Sequence, residues 1–250
     1  MNENVKNNKI YYFLSGLVIF VTLAIIVLFS LGYRIDSDLK IAKNGQFSIE
    51  TLLPNTVVII DETKKIITTK EKEIVNISLA PKVHSVIVSH EDFFPWIKEV
   101  KVSSDQNTKV SPIYVYQNPS GSIITKNDPE YWKIMSDIDK NLPPQKNSHK
   151  ISKDESVHIW VENNTIMAKV NDNSIEVIKP ENPIRNLDFY KNRNNALVFS
   201  SGNGVYVVEI NKEGTQNFMP IYKGERPEFL LQDENFIFIQ DFQNLMQVII

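Results

Sequence analysis

The sequence predicts a mainly β protein hung from a single N-terminal transmembrane helix, and three observations predict it. Residues Ile10 to Tyr33 form a run of 24 positions without a charge. After Arg34 the chain turns polar, and its apolar residues alternate or come in short β-branched runs bounded by Pro, Asn, Asp and Gly. Near the C-terminus an apolar and aromatic pattern recurs every 39 residues. The expected order is a helix, a small β-sandwich, and a partial propeller-like antiparallel β domain with one short helix.

The apolar run reaches roughly 36 Å as a helix, more than the ~30 Å of hydrocarbon in a bilayer, so a tilted span is expected. A cleavable signal peptide is the competing reading, because Ser30-Leu31-Gly32 offers small residues where a peptidase cuts. Signal peptides use only about 7 to 15 apolar residues, so the length favours an uncleaved anchor. A helix of a soluble protein would carry a polar stripe, and none is seen, since Leu, Ile, Val and Phe occupy every face. Tyr11, Tyr12 and Tyr33 sit at the two ends, where headgroups favour aromatic rings. Lys6 and Lys9 precede the span, and Arg34, Lys40 and Lys43 follow it, partly offset by Asp36 and Asp38. Charge therefore does not set the orientation. A short N-terminal tail before a first apolar segment behaves as a signal anchor, which places residues 1–9 in the cytoplasm and the C-terminal domain outside it.

Residues 34–44 read as a polar stalk. Strands are then expected at Phe47–Thr51, Thr56–Ile60, Glu73–Leu79, Ser85–Ser89 and Trp96–Val102, with Leu53-Pro54-Asn55 as a turn. Five short strands without a helix-length amphipathic segment make a small β-sandwich over residues 45–102. Here the residues resemble a known family. Gly45-Gln46-Phe47-Ser48-Ile49-Glu50-Thr51, the Leu53-Pro54-Asn55-Thr56 turn and Val58-Ile59-Ile60-Asp61 resemble the opening of a PEGA domain. Leu79-Ala80-Pro81-Lys82-Val83-His84-Ser85-Val86 and Asp92-Phe93-Phe94-Pro95-Trp96 resemble its closing half. Asn55, Lys82 and Glu62 stand where that family favours glycine. Asparagine tolerates a left-handed turn, whereas lysine there is strained, so the second turn is expected to be rebuilt. The resemblance implies an envelope module without catalytic residues, used for display, spacing or binding.

Residues 103–150 connect the two β regions. One strand is expected at Pro112–Tyr116 and a turn at Asn118–Gly121. A short helix is expected at about 129–140, with Asp128 as N-cap and Tyr131, Ile134, Met135 and Ile138 on one face. Residues 141–150 read as a linker or exposed loop. From 151 to 250 the repeat places Trp160, Phe199 and Phe238 in register, each followed by a polar turn and a second strand, as hairpins. The segments at Ile151–Glu155 and Phe189–Asn192 resemble worn TolB-type propeller repeats, with Ser152 and Asp154 the best matches. At most two and a half such units are expected. The last strand, Met246 to Ile250, reads as an edge that another chain can pair.

The chemistry expected is sparse. The chain has no cysteine, its net charge is −3, and its charges are interspersed. Disulfides are excluded, and no nucleic-acid partner is expected. His84, His90, His149 and His158 lack ligand spacing, so no metal and no cofactor is expected. The acidic pairs Asp61-Glu62, Glu91-Asp92 and Asp154-Glu155 read as solvated turns, so no catalytic residue is assigned. Candidate ligand or partner contacts are Phe93, Phe94 and Trp96, with Met246, Val248 and Ile250. The expected function is a membrane-anchored, extracytoplasmic, noncatalytic scaffold or binding module of the cell envelope. Its partners would be the lipid bilayer through residues 10–33 and a surface polymer or protein. The alternatives are an enzyme acting on envelope glycan and a subunit of a division or secretion complex.

Overall fold

The computed structural model describes residues 3–35 and 40–250. Helix α1 (Glu3–Ser30) begins inside the expected tail and carries Tyr11–Ser30, a stretch of mean hydropathy 2.7 of which none is buried by the protein. It is long and apolar enough to span a membrane. Its hydroxyls are satisfied internally: Ser15 donates to the Tyr12 carbonyl, Thr22 to Val18 and Ser30 to Ile26. Such back-bonding lets polar side chains enter an apolar medium. Gly32, at φ +85°, ends the helix and donates its N–H to the Phe29 carbonyl, a left-handed cap that disfavours a Cβ.

The expected stalk is not a spacer. Residues 36–39 lie outside the described residues, but β1 (Tyr33–Ile35) and β2 (Ile41–Lys43) pair antiparallel, with Tyr33 opposite Lys43. Ladder pairing satisfies backbone groups that an extended stalk would leave to solvent.

The following strands are β3 (Gly45–Thr51), β4 (Val57–Ile60), β5 (Lys64–Ile67), β6 (Glu73–Leu79), β7 (Val83–Ser89), β8 (Trp96–Lys101) and β9 (Asn107–Val110). The five expected strands are all present, and β5 and β9 are additional. Asn55 adopts φ 57° and Glu62 φ 57°, the left-handed values that the turns require. Lys82 is not in that region, and its carbonyl accepts the Val102 N–H at 3.0 Å.

Two compact units interleave along the chain, one formed by residues 1–54, 70–84 and 100–111 and the other by 55–69, 85–99 and 112–250. In the first unit β3 is central, antiparallel to β6 and parallel to β9. One face of this sheet buries Phe47, Ile49, Val75 and Ile77. On the other face Ser48 Oγ lies 2.7 Å from Asn76 Oδ1 and 3.0 Å from Asn107 Oδ1.

In the second unit β5, β4, β7 and β8 form one sheet. After β10 (Gly121–Ile124) comes helix α2 (Tyr131–Lys140), and then β11 (Lys150–Ile151), β12 (Val157–Glu162), β13 (Thr165–Val170) and β14 (Asn173–Ile178). The chain ends with β15 (Ile184–Phe189), β16 (Ala196–Ser201), β17 (Gly204–Glu209), β18 (Phe218–Lys223), β19 (Glu228–Leu231), β20 (Phe236–Asp241) and β21 (Asn244–Ile249). These make three four-stranded antiparallel sheets, ordered β11-β12-β13-β14, β15-β16-β17-β18 and β10-β21-β20-β19. Trp160, Phe199 and Phe238 each lie buried in the second of the four strands in chain order or, for Phe238, in the middle strand β20. Left-handed Asn163 and Asn164 turn the chain between β12 and β13, and Asn171 and Asp172 between β13 and β14, so that both loops follow the twist of their strands.

The sheets share cores. Ile159, Ile166, Leu187, Leu197 and Phe199 belong to one buried cluster, and α2 packs Tyr131, Ile134 and Ile138 onto Phe238 and Leu245 in another. Each buried isoleucine contributes about 2 kcal/mol.

Several expectations are corrected between residues 103 and 150. Pro112–Tyr116 is not a strand; its backbone is irregular, and only Tyr116 bridges, to Phe93. Asn118–Gly121 is not a closed turn, because Gly121 opens β10. Helix α2 starts at Tyr131, since the Asp128 carboxylate turns back to the Thr125 N–H and hydroxyl and is not its cap. The linker is tied down: Lys146–Ser148 form a 3₁₀ turn, the Val161 N–H donates to the Pro144 carbonyl at 2.8 Å, and β11 joins β12. The third hairpin, β20–β21, lies in a four-stranded sheet, flanked by β19 beside β20 and by the upstream strand β10 beside β21.

Candidate functional site

The residues nominated from sequence are mostly core. Phe93 is 6% exposed, Trp96 2%, Val248 6% and Ile250 5%, while Phe94 and Met246 are half-buried. The supposed free edge at Met246–Ile250 does not exist. β21 is paired on both sides, with Val248 opposite Gly121 of β10 and Ile237 of β20. A strand whose N–H and C=O groups are already used cannot accept another strand.

These two nominated groups nevertheless border one pocket. The loop His90–Phe94 lies beside Tyr116–Ser120. The Gln117 N–H donates to the Asp92 carbonyl at 2.9 Å, the Phe94 N–H to Val115 at 2.9 Å, and the Gln117 side-chain amide to the Phe93 carbonyl at 2.9 Å. The Ile249 N–H donates to the Ser120 carbonyl at 2.9 Å, bringing the end of β21 alongside. A pocket of about 310 Å³ opens there, lined by Glu91, Asp92, Tyr116, Gln117, Asn118, Ser120 and Ile249.

Phe93 serves this pocket from behind. Its ring lies 4.3 Å from that of Tyr116, at 30°, and meets His90 and Tyr114 edge-on at 5.4 and 5.6 Å. The aromatic group on the pocket wall is therefore Tyr116. Two carboxylates, two carboxamides and two hydroxyls supply directional hydrogen bonds, and the Tyr116 ring and Ile249 supply apolar surface. Such a mixture suits a hydroxyl-rich ligand. Sequence reasoning missed Tyr116, Gln117, Asn118, Ser120 and Ile249, and it treated Glu91 and Asp92 as ordinary turn residues. The one available signal was Tyr116 standing just before Asn118-Pro119-Ser120.

A broader, shallower cleft of about 750 Å³ has Val157, Val170, Ile175 and Ile210 in its floor and Asn171, Asn173, Asn194 and Asn211 around it. Asp154 is at its rim. The Ser152 hydroxyl donates to it at 2.6 Å, the Ser156 hydroxyl at 2.8 Å and the Asn194 amide at 2.5 Å, and these bonds hold its carboxyl down at about 2. The Val157 N–H in turn donates to Ser152 Oγ at 3.0 Å, so Ser152 and Asp154 fix the entry to β12.

His149 and His158 stack, with ring centroids 4.7 Å apart. No group of three or more His, Asp or Glu side chains with metal-ligand geometry occurs among the described residues.

Compared with known proteins, the chain matches no family model and no curated protein.

Proposed function

We propose that the protein is a noncatalytic scaffold or recognition module of the cell envelope, anchored by α1, with its β region outside the cytoplasm. The observation that carries this reading is that one chain combines an apolar helix unburied by protein with β sheets that hold a polar pocket. In this reading the stretch from β3 to β8 is a PEGA-like module. Its strands come in the order that resemblance implies, and Asn55 fills the position favoured for glycine in a left-handed conformation.

The three four-stranded sheets and the 39-residue spacing support a propeller-like array. So does the Ser152–Asp154 turn, the best-matched part of the TolB-type signature. The ligand is a hydroxyl-rich surface polymer, held at the pocket between the His90–Phe94 loop and Ser120.

The test uses the full chain in detergent or nanodiscs, mixed with purified envelope polysaccharide. Binding that falls about tenfold in Asn118→Ala and Glu91→Gln, without a change in melting temperature, is the expected result. Absence of binding would refute the recognition role, and cleavage of the polymer would establish the enzyme reading instead. Placement is tested by protease treatment of intact cells carrying a tag at each terminus. Loss of the C-terminal tag alone is expected.

A further inference from the structure

The ten or so residues between the helix and the first sheet do not carry the sheet away from the helix. Extended, residues 34–43 would span roughly 33 Å. Instead, β1 and β2 pair antiparallel, and the Asn44 N–H donates to the Gly32 carbonyl at 2.8 Å. The first residue of β3 therefore follows directly on an amide bonded to the last turn of the span.

A second layer of contacts fixes this closure. Ser104 Oγ donates to the Lys43 carbonyl at 2.9 Å, the Lys43 ammonium donates to Asp105 at 2.8 Å, and the Gln46 N–H donates to the Gln106 carbonyl at 2.8 Å. Arg34 Nη1 donates to the carbonyls of Phe29 and Tyr33 at 2.8 Å each, and its guanidinium lies 4.7 Å from the Phe29 ring centroid. The cation is thus held at the negative end of the helix, at the depth where an apolar span gives way to headgroups. Leu31 and Ile41 are 61% and 64% exposed beside it.

We infer that the ribbon β1–β2 and the turn 103–106 are seated in the lipid headgroup layer, making the bilayer's phosphate-bearing surface the docking partner of the first β unit. The first β unit hugs the surface and is not held out on a stalk. Arg34 supplies the cation that faces lipid phosphate, while Ile41 and Leu31 supply the apolar contacts that settle at the same depth.

This rests on α1 lying in a membrane, and the experiment separates the two claims. Because the chain has no cysteine, single cysteines report unambiguously. The full chain is reconstituted into phosphatidylcholine vesicles whose headgroups carry a nitroxide, with a fluorophore at Leu31→Cys, Ile41→Cys or Gln106→Cys. The expected result is loss of most of the fluorescence at all three sites, in either orientation of the chain. Quenching at Leu31→Cys with none at Ile41→Cys and Gln106→Cys would overturn the seated ribbon and restore a stalk. No quenching at any site would overturn the anchor, and the seating with it. Adding Arg34→Gln to the Ile41→Cys protein is expected to reduce its quenching, and an unchanged signal would remove Arg34 from the contact.

Discussion

The sheets β11–β14 and β15–β18 are each built from four strands consecutive in the chain, whereas the third sheet borrows β10 from more than a hundred residues upstream of β21. The difference separates two kinds of stability. A consecutive sheet closes through turns whose residues are chosen locally, such as Asn163-Asn164 and Asn171-Asp172. A borrowed strand must first close a long loop, and its ladder has to repay that entropy. A second remote join works the same way. Asn217 pairs with β8 as a neighbouring strand would, accepting the Ile97 N–H and donating to the Ile97 carbonyl, both at 3.0 Å.

Beside Asn217, the Lys98 ammonium donates to Glu209 at 3.0 Å and to the Asn211 carbonyl at 2.7 Å, and both charged side chains are 6% exposed. Breaking this remote join should have the largest effect. Lys98→Met leaves Glu209 buried without its countercharge, and a loss of about 3–5 kcal/mol is expected in urea unfolding of the full chain in micelles. The double variant Lys98→Met/Glu209→Leu should recover most of it. A single-variant loss below about 1 kcal/mol would mean that the pair is hydrated and the join is weak.

Within a consecutive sheet the largest effect expected is one of pH. Lys191 sits at φ 51° in the tight turn between β15 and β16, and burial, with a contribution from Arg193, pushes its ammonium down to about 8. Between pH 8 and 10.5 the unfolded chain holds a proton that the folded chain has released, so stability rises with pH across that window. Lys191→Met should flatten this rise and add at most about 3 kcal/mol at neutral pH. An unchanged slope would show that the ammonium reaches solvent.

Sequence reading succeeded where the signal was local. The five strands of residues 45–102, the three hairpins in the 39-residue register and α2 all follow from alternation, turn residues and helical spacing within about a dozen residues. It failed at segments whose structure is set by a partner far along the chain rather than by their own pattern. Gly121–Ile124 is too short and too polar to announce that it completes a sheet. Pro112–Tyr116 looked like a strand because it is buried and apolar, yet its backbone is held by Phe93 and Phe94. The pocket was hidden for the same reason, since Asp92, Tyr116 and Ile249 belong to three separate segments. Apolar side chains next to it were legible, but they mark its supporting core.

The borrowed strand can be tested directly. A Cβ added at Gly121 would come within 2.6 Å of the Gln247 carbonyl oxygen, a backbone atom that cannot turn aside. Gly121→Val should therefore loosen β10 and cost about 1–3 kcal/mol. Limited proteolysis should find new cleavage near residues 117–128, with the sheet β15–β18 still protected. Equal loss of protection in both sheets would mean that the two kinds of join unfold as one.

The smallest effect lies at the hairpin tip between β20 and β21. Phe242 holds φ 53° with its ring 61% exposed, so its backbone is in the left-handed region without burial to offset the cost. Asparagine occupies that region far more readily, because its short side chain bonds locally. Phe242→Asn should raise stability by about 0.5–1 kcal/mol, read as a higher urea midpoint at unchanged slope. The sign matters more than the size. A stabilising change would show that the local turn carries strain that the remote ladder β10–β21 does not relieve, leaving the exposed ring free to meet something outside the fold. A destabilising change would mean that the ring already has a partner within the chain and that the tip belongs to the core.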